Sequence, residues 1–155
     1  MEPTSPSPDQ PFLDETRRRR AELRESMSTL ENALAAPVVA GQVRWVQRVQ
    51  VALVELCGDF RQHVEMTEGP DGLYGDLLKT SPRLSDAVAV LTREHALITD
   101  QVDDLLSRVA SPDVIDDVDG IRDRGTALLG RLVRHRQRGS DLVFEAYEVD
   151  IGGET

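Results

Sequence analysis

Apolar residues recur along the chain at alternating steps of three and four positions, in four long segments. If a segment is helical, this spacing gathers its apolar side chains into one stripe, because an α-helix turns once every 3.6 residues. No segment alternates with a period of two, so the pattern predicts no β-sheet. Clusters of glycine and proline separate the segments at Pro37 to Gly41, Gly69 to Gly75 and Ser111-Pro112, and Gly152-Gly153 ends the last segment.

Four such helices with short connections predict an all-α protein with the architecture of an up-down-up-down four-helix bundle. Prolines and serines near the start predict a flexible N-terminal tail over residues 1–11, followed by a single bundle domain over residues 12–153. Serine followed by proline, at Ser81 and again at Ser111, predicts two helix starts, because serine caps a helix and proline fits its first turn. The stripes place Leu56, Leu91 and Leu132 in the core.

Composition narrows the class of protein. The chain has 155 residues, of which 39% are hydrophobic, so it is long enough and apolar enough to bury a core. Its net charge of −10 excludes broad attraction to nucleic acid or to anionic membranes as a basis for function. The one cysteine, Cys57, excludes an internal disulfide and a cysteine-based zinc module.

The longest nearly apolar run, Ala33 to Ala40, is too short for a transmembrane helix and is broken by Pro37. The first twenty residues lack the cationic start and apolar block of a secretory signal. We therefore expect a cytoplasmic protein without a membrane or nucleic-acid partner.

Each apolar stripe is interrupted at one principal position by a polar side chain. All three histidines of the chain are among these interruptions, so each lies on a core-facing stripe. At a rise of 1.5 Å per residue, the four interruptions reach a similar level in the bundle. Three imidazoles that converge in a core indicate either a set of metal ligands or a buried hydrogen-bonded cluster. The four interruptions are Arg20, His63, His95 and His135.

Four stretches, in this order and spacing, carry a resemblance to a known family: residues 23–37 (LRESMSTLENALAAP), 60–78 (FRQHVEMTEGPDGLYGDLL), 81–98 (SPRLSDAVAVLTREHALI) and 135–153 (HRQRGSDLVFEAYEVDIGG). The chain resembles the hemerythrin-like (HHE cation-binding) proteins over nearly its whole length. Glu94-His95 and Asp150 to Gly153 look especially like the bacterial members. The resemblance implies a bundle that holds two iron ions and binds iron, dioxygen, nitric oxide or peroxide.

The family's ligand pattern is only partly present. It has one histidine on helix one, H-x-x-x-E on helix two, histidine on helix three, and H-x-x-x-E or H-x-x-x-D on helix four. Here Thr67 and Gly139 stand where the two bridging carboxylates are implied, and Arg20 stands where the first histidine is implied. Two iron ions in a core without bridging carboxylates would be poorly compensated in charge, so an intact di-iron centre is not expected. The imidazoles that match the pattern are His63, His95 and His135.

The leading hypothesis is a divergent hemerythrin-like protein that binds a single Fe or Zn ion through these three histidines, with water or a carboxylate as fourth ligand. Glu65, Glu68 and Asp141 are the carboxylates to check as substitutes for the missing bridges, although helical geometry points all three away from the stripes. The resemblance implies a non-catalytic binding protein rather than an enzyme. A peroxide-consuming metalloenzyme is a further hypothesis that the resemblance implies.

An alternative hypothesis is a metal-free bundle that acts as a protein-interaction or dimerisation module. Its imidazoles would bond to each other and to water. Outward apolar residues such as Val38, Val39 and Leu73 would form the contacts, and the protein would be a monomer or a homodimer with an unidentified protein partner.

Overall fold

The computed structural model describes residues 10–111 and 117–149, and all the regular structure in these ranges is helical. This confirms the prediction of an all-α protein built on four long helices. The short connections between those helices also contain a two-turn helix and a 3₁₀ turn, Pro82–Leu84, and a π-helical turn, Glu145–Val149, follows the last helix. The α-helices are α1 (Gln10–Ala35), α2 (Gln42–Glu68), α3 (Leu73–Thr80), α4 (Ser85–Val109) and α5 (Val118–Phe144).

The long helices pack as a ring. Helix α1 packs against α2 and α5, and α4 packs against the same two helices, so neighbours in the sequence are neighbours in space. The apolar stripes meet in the centre, where Leu56 and Leu132 are buried, and Leu91 is buried in a second cluster described below. All three are at most 2% exposed, which confirms their predicted burial. Burial of such a stripe supplies most of the stability of a helix in a bundle, because isolated helices are marginal in water.

Three element boundaries differ from the sequence analysis or fall outside the described ranges. Helix α1 begins at Gln10, inside the segment assigned to the tail. The start predicted at Ser111-Pro112 borders residues 112–116, which lie outside the described residues. Helix α5 begins at Val118, where the Asp117 carboxylate accepts a hydrogen bond from the Gly120 N–H at 3.2 Å.

The region from Gly69 to Gly75, treated as a separator above, contains the start of helix α3. This helix buries Tyr74 and Leu77 in a second, smaller apolar cluster, together with residues from α4 and from the end of α5. Helix α3 therefore packs over the level of the bundle at which the histidines lie. The cluster comprises Tyr74, Leu77, Leu84, Val88, Leu91, Leu142 and Ala146.

The end of α1 is held by Arg122 from α5. Its guanidinium donates hydrogen bonds at 3.0 Å to the carbonyl oxygens of Leu34 and Ala36, and it lies 5.2 Å from the centre of the Trp45 ring. The last carbonyls of a helix lack partners within the helix, so Arg122 satisfies the Leu34 carbonyl and shares the Ala36 carbonyl with the Trp45 indole N–H, which donates to it at 3.0 Å. In the described ranges, no helix combines the length and the apolar character that crossing a membrane requires.

Candidate metal centre

Three imidazoles from three helices meet in the core. His63 lies near the end of α2, His95 in the middle of α4 and His135 in α5. The Nε2 atom of His135 is 3.0 Å from Nε2 of His95 and 3.2 Å from Nε2 of His63. His95 and His135 are 2% and 1% exposed, and one ring nitrogen from each of the three histidines lies within 4.8 Å of the others. The structure thus places together the three side chains that the sequence singled out.

The spacing of these nitrogens suits a single metal ion. Zinc binds imidazole nitrogen at about 2.0–2.1 Å, so two ligands of a tetrahedral zinc ion lie about 3.3 Å apart. The two Nε2 separations at His135, 3.0 and 3.2 Å, are close to that value. The nitrogens of His63 and His95 also lie within 4.8 Å of each other, so an ion bound by all three would hold these two rings at the tetrahedral spacing through movement of the rings.

A carboxylate lies behind two of the three imidazoles. Oε2 of Glu68 is 2.5 Å from Nδ1 of His95, and Oε1 of Glu94 is 3.7 Å from Nδ1 of His135. Glu94 is itself held by Arg138, whose guanidinium donates to Oε2 at 2.5 Å. A carboxylate at Nδ1 favours the tautomer that carries its proton there, which leaves the Nε2 lone pair free to bind a metal.

Within the described residues, the buried ring nitrogens of His95 and His135 and the Glu94 carboxylate do not all have hydrogen-bond partners. A neutral imidazole has one N–H, and if His95 and His135 both direct it to their carboxylates, two Nε2 lone pairs face each other at 3.0 Å. The opposite tautomer of His95 would place a lone pair against Glu68 instead. Oε1 of Glu94 and Nδ1 of His135 also lie buried without a hydrogen-bond partner. A proton on Nε2 of His135 would let it donate to His95, but it would leave Nδ1 of His135 as an unpaired acceptor, whereas a cation at the Nε2 atoms lets both rings keep their protons at Nδ1.

Burial keeps the imidazoles neutral. Desolvation, followed by the charges of His95 and His135, lowers the pKa of His63 to about 3. Desolvation and the neighbouring His95 lower the pKa of His135 to about 4. Desolvation also lowers the pKa of His95, although Glu68 opposes that effect. Only neutral imidazole binds a metal, so the site keeps its lone pairs available well below neutral pH.

Two aromatic rings enclose the imidazoles. The Tyr74 ring stacks on His95 with a centroid separation of 5.8 Å, and the Phe60 ring stacks on His63 at the same separation. Burial raises the pKa of the Tyr74 hydroxyl, which stays protonated at neutral pH. An apolar shell of this kind limits access of water and strengthens electrostatic interactions within it. Tyr74 was missed by the sequence analysis because it lies among glycines.

The three positions at which the chain departs from the family pattern adjoin the same histidines. Arg20, Thr67 and Gly139 line a cavity of about 30 Å³ together with His63 and His135. That volume is enough for a water-sized ligand. The Arg20 guanidinium donates to Oγ of Ser140 at 2.8 Å. The Thr67 hydroxyl donates to the His63 carbonyl at 2.9 Å, and a Cβ atom built on Gly139 would meet no atom within 4 Å.

The carboxylates considered as substitute ligands occupy other places. Glu68 contacts His95, but at Nδ1 and therefore on the side away from the other imidazoles. Asp141 is exposed and accepts a hydrogen bond from the Gln137 side chain at 3.0 Å. Glu65 is also exposed. Glu68 is thus placed to orient the His95 imidazole rather than to bridge two metal ions.

Comparison with models of known protein families, with curated protein sequences and with solved structures finds no match for this chain. The class that the fold and the site define is an all-α bundle of four long helices with three imidazoles clustered in its core.

Proposed function

We propose that this protein is a divergent hemerythrin-like bundle, with its helices in up-down-up-down order, that binds one Fe or Zn ion through Nε2 of His63, His95 and His135. One observation carries the proposal: the Nε2 atoms converge on one another while Nδ1 of two of the rings faces a carboxylate. Carboxylate–histidine–metal arrangements of this kind are typical of metal sites, because the carboxylate orients the ring and raises its basicity.

The charges near the cluster favour a divalent cation over a neutral hydrogen-bonded cluster. Glu68 and Glu94 bring two negative charges to the imidazoles, and Arg138 offsets one of them. Glu94 is buried and already paired with Arg138, and the Glu68 side chain is 31% exposed, so the charge that a divalent ion would offset is mainly that of Glu68. Within the described residues, a neutral cluster leaves the buried Nδ1 of His135 and Oε1 of Glu94 without hydrogen bonds.

One ion fits the site better than two. A di-iron centre needs bridging carboxylates between its metals, and Thr67 and Gly139 provide none. Three imidazole nitrogens with a water-sized cavity beside them suit a tetrahedral ion whose fourth position is open. We propose that this position binds a small ligand, and that the role is binding or sensing of dioxygen, nitric oxide, peroxide or iron itself.

Cobalt(II) titration tests this function. Tag-free protein is stripped with a chelator and titrated anaerobically with cobalt(II), whose visible bands become intense in tetrahedral sites. We expect saturation at one ion per chain and loss of the bands in His95→Ala and His135→Ala. Glu65→Gln, which removes an exposed carboxylate, is the matched control and should bind like the parent. A folded parent that develops no bands, or that takes up two ions, would contradict the proposal.

A second candidate function is that of an interaction module, and the outer face of α2 favours it. Val43, Val51 and Val54 are all more than half exposed and lie within one quadrant of that helix. Of the outward residues predicted from sequence, Val39 is 85% exposed, whereas the prediction is wrong for Val38 and Leu73, which pack against the apolar clusters. Val51→Glu together with Val54→Glu should abolish any concentration-dependent association in sedimentation experiments.

A further inference from the structure

Three arginines gather where α1 packs against α5, beside the histidine cavity. Arg20 and Arg24 are one turn apart on the same side of α1. Arg136 of α5 lines the histidine cavity together with Arg20, and it lines a neighbouring groove of about 670 Å³ together with Arg24. Burial, followed by the positive charges of Arg24 and Arg20, lowers the pKa of the Arg136 guanidinium.

Within the described ranges, none of these three arginines forms an ion pair with a carboxylate. Arg20 donates to the neutral hydroxyl of Ser140. Some neighbouring arginines are compensated: Arg19 pairs with Glu15 and Glu22 on its own helix, and Arg138 pairs with Glu94. The chain has 28 acidic and only 18 basic residues, so carboxylates are plentiful, yet none among the described residues pairs with these three arginines.

The remainder of the groove is largely apolar. Met27, Leu129 and Val133 contribute to its lining next to the arginine end. Glu31 is the one acidic residue among its lining side chains, and it lies seven residues, or about 10 Å, along α1 from Arg24. The groove therefore combines an uncompensated cationic end with an apolar floor.

We propose that Arg20, Arg24 and Arg136 form a binding site for a phosphate group, either free phosphate or a phosphate monoester whose organic part lies along the apolar floor. Guanidinium groups bind phosphate oxygens through paired N–H donors, which gives both strength and geometric specificity. A dianion would also relieve the repulsion among three neighbouring cations. The site is independent of the metal proposal, since it uses no histidine and can be examined in chelator-treated protein.

Titration calorimetry at constant ionic strength tests the site, with inorganic phosphate and phenyl phosphate as separate probes and chloride as the balancing anion. We expect saturable binding of both, tighter for phenyl phosphate if the apolar floor contributes. Arg24→Gln and Arg136→Gln should each weaken binding about tenfold or more, as the loss of one charged hydrogen-bonding partner predicts. Arg93→Gln removes the same charge from an exposed position on α4 and should leave the affinity unchanged.

Two further results keep the test decisive. Arg136→Lys retains the charge but loses the paired donors, so it should bind more weakly than the parent. If Arg136 variants fail to fold, Arg24→Gln still carries the test, because Arg24 is exposed and its replacement removes no core contact. Heat that never saturates, or an equal loss of affinity in Arg93→Gln, would show only general electrostatic attraction and would overturn the proposal.

Discussion

Acidification of the metal-free protein should destabilise it because of its buried imidazoles. In the unfolded chain the histidines protonate near pH 6.5. In the folded protein the pKa values are about 3 for His63 and about 4 for His135. Between these limits the unfolded state binds more protons than the folded state, so the free energy of unfolding falls as the pH falls below about 6.5.

The size of the effect follows from the number of protons. Each histidine that stays neutral when folded contributes a slope approaching 1.4 kcal/mol per pH unit. From about pH 6.5 to about pH 5, this amounts to roughly 1.6 kcal/mol for each of His63 and His135, or about 3 kcal/mol together. His95, whose pKa is also lowered, adds to the loss in the same direction. A domain of this size has a total stability of about 5–15 kcal/mol, so the change is readily measured.

Urea denaturation of chelator-treated protein, followed by circular dichroism between about pH 7 and pH 5, is the assay. His63→Gln is the matched variant, because it removes one titrating group from the part of the cluster nearest the helix end. Between about pH 6.5 and about pH 5, its loss of stability should be smaller than that of the parent by roughly 1.6 kcal/mol. A parent stability that stays constant or rises on acidification would refute the reasoning, since it would mean that the histidines titrate normally in the folded state.

Three further predictions concern the packing of the core, the orientation of the His95 imidazole and the positions at which the chain departs from the family's ligand pattern. Leu132→Ala should lower the free energy of unfolding by roughly 2–5 kcal/mol in urea denaturation, because this side chain is 0% exposed. Glu68→Gln should lower zinc affinity about 10- to 100-fold in competition with a chelator, because it weakens the bond that orients His95. The triple variant Arg20→His, Thr67→Glu and Gly139→Glu should bind two irons per chain after aerobic loading and become coloured.

Each of these has an outcome that would contradict it. A cost below about 1 kcal/mol for Leu132→Ala would mean that the stripes do not face one core. An unchanged zinc affinity in Glu68→Gln would show that the Glu68 carboxylate does not contribute to metal binding. No gain of iron in a folded triple variant would show that the assignment of Arg20 to the position of the family's first histidine is wrong.

The four long helices could be predicted because a stripe of alternating three- and four-residue steps over 25 or more residues is a strong signal. Helix α3 could not, because it has only eight residues and stands among glycines that are typical of loops. Its Tyr74 is buried by contacts with other helices, which no local pattern encodes.

The carboxylates behind the imidazoles show a second limit of sequence reasoning. Glu68 is five residues after His63, which places it off the stripe of its own helix. Its partner is His95 on a different helix, so its role depends on how α2 and α4 pack. Glu94 directly precedes His95 on α4, but its carboxylate contacts His135 and Arg138, which are both on α5. The burial of residues on a stripe could be predicted from sequence spacing, whereas contacts between side chains of different helices could not.

X-ray absorption at the zinc edge tests the central claim most directly. Chelator-stripped, tag-free protein is loaded with zinc, passed through gel filtration and measured for both zinc content and the ligand shell. We expect one retained ion per chain with three imidazole nitrogens at about 2.0–2.1 Å. A shell of oxygen alone would indicate surface carboxylates, and that result, or the absence of retained zinc from folded protein, would contradict the account.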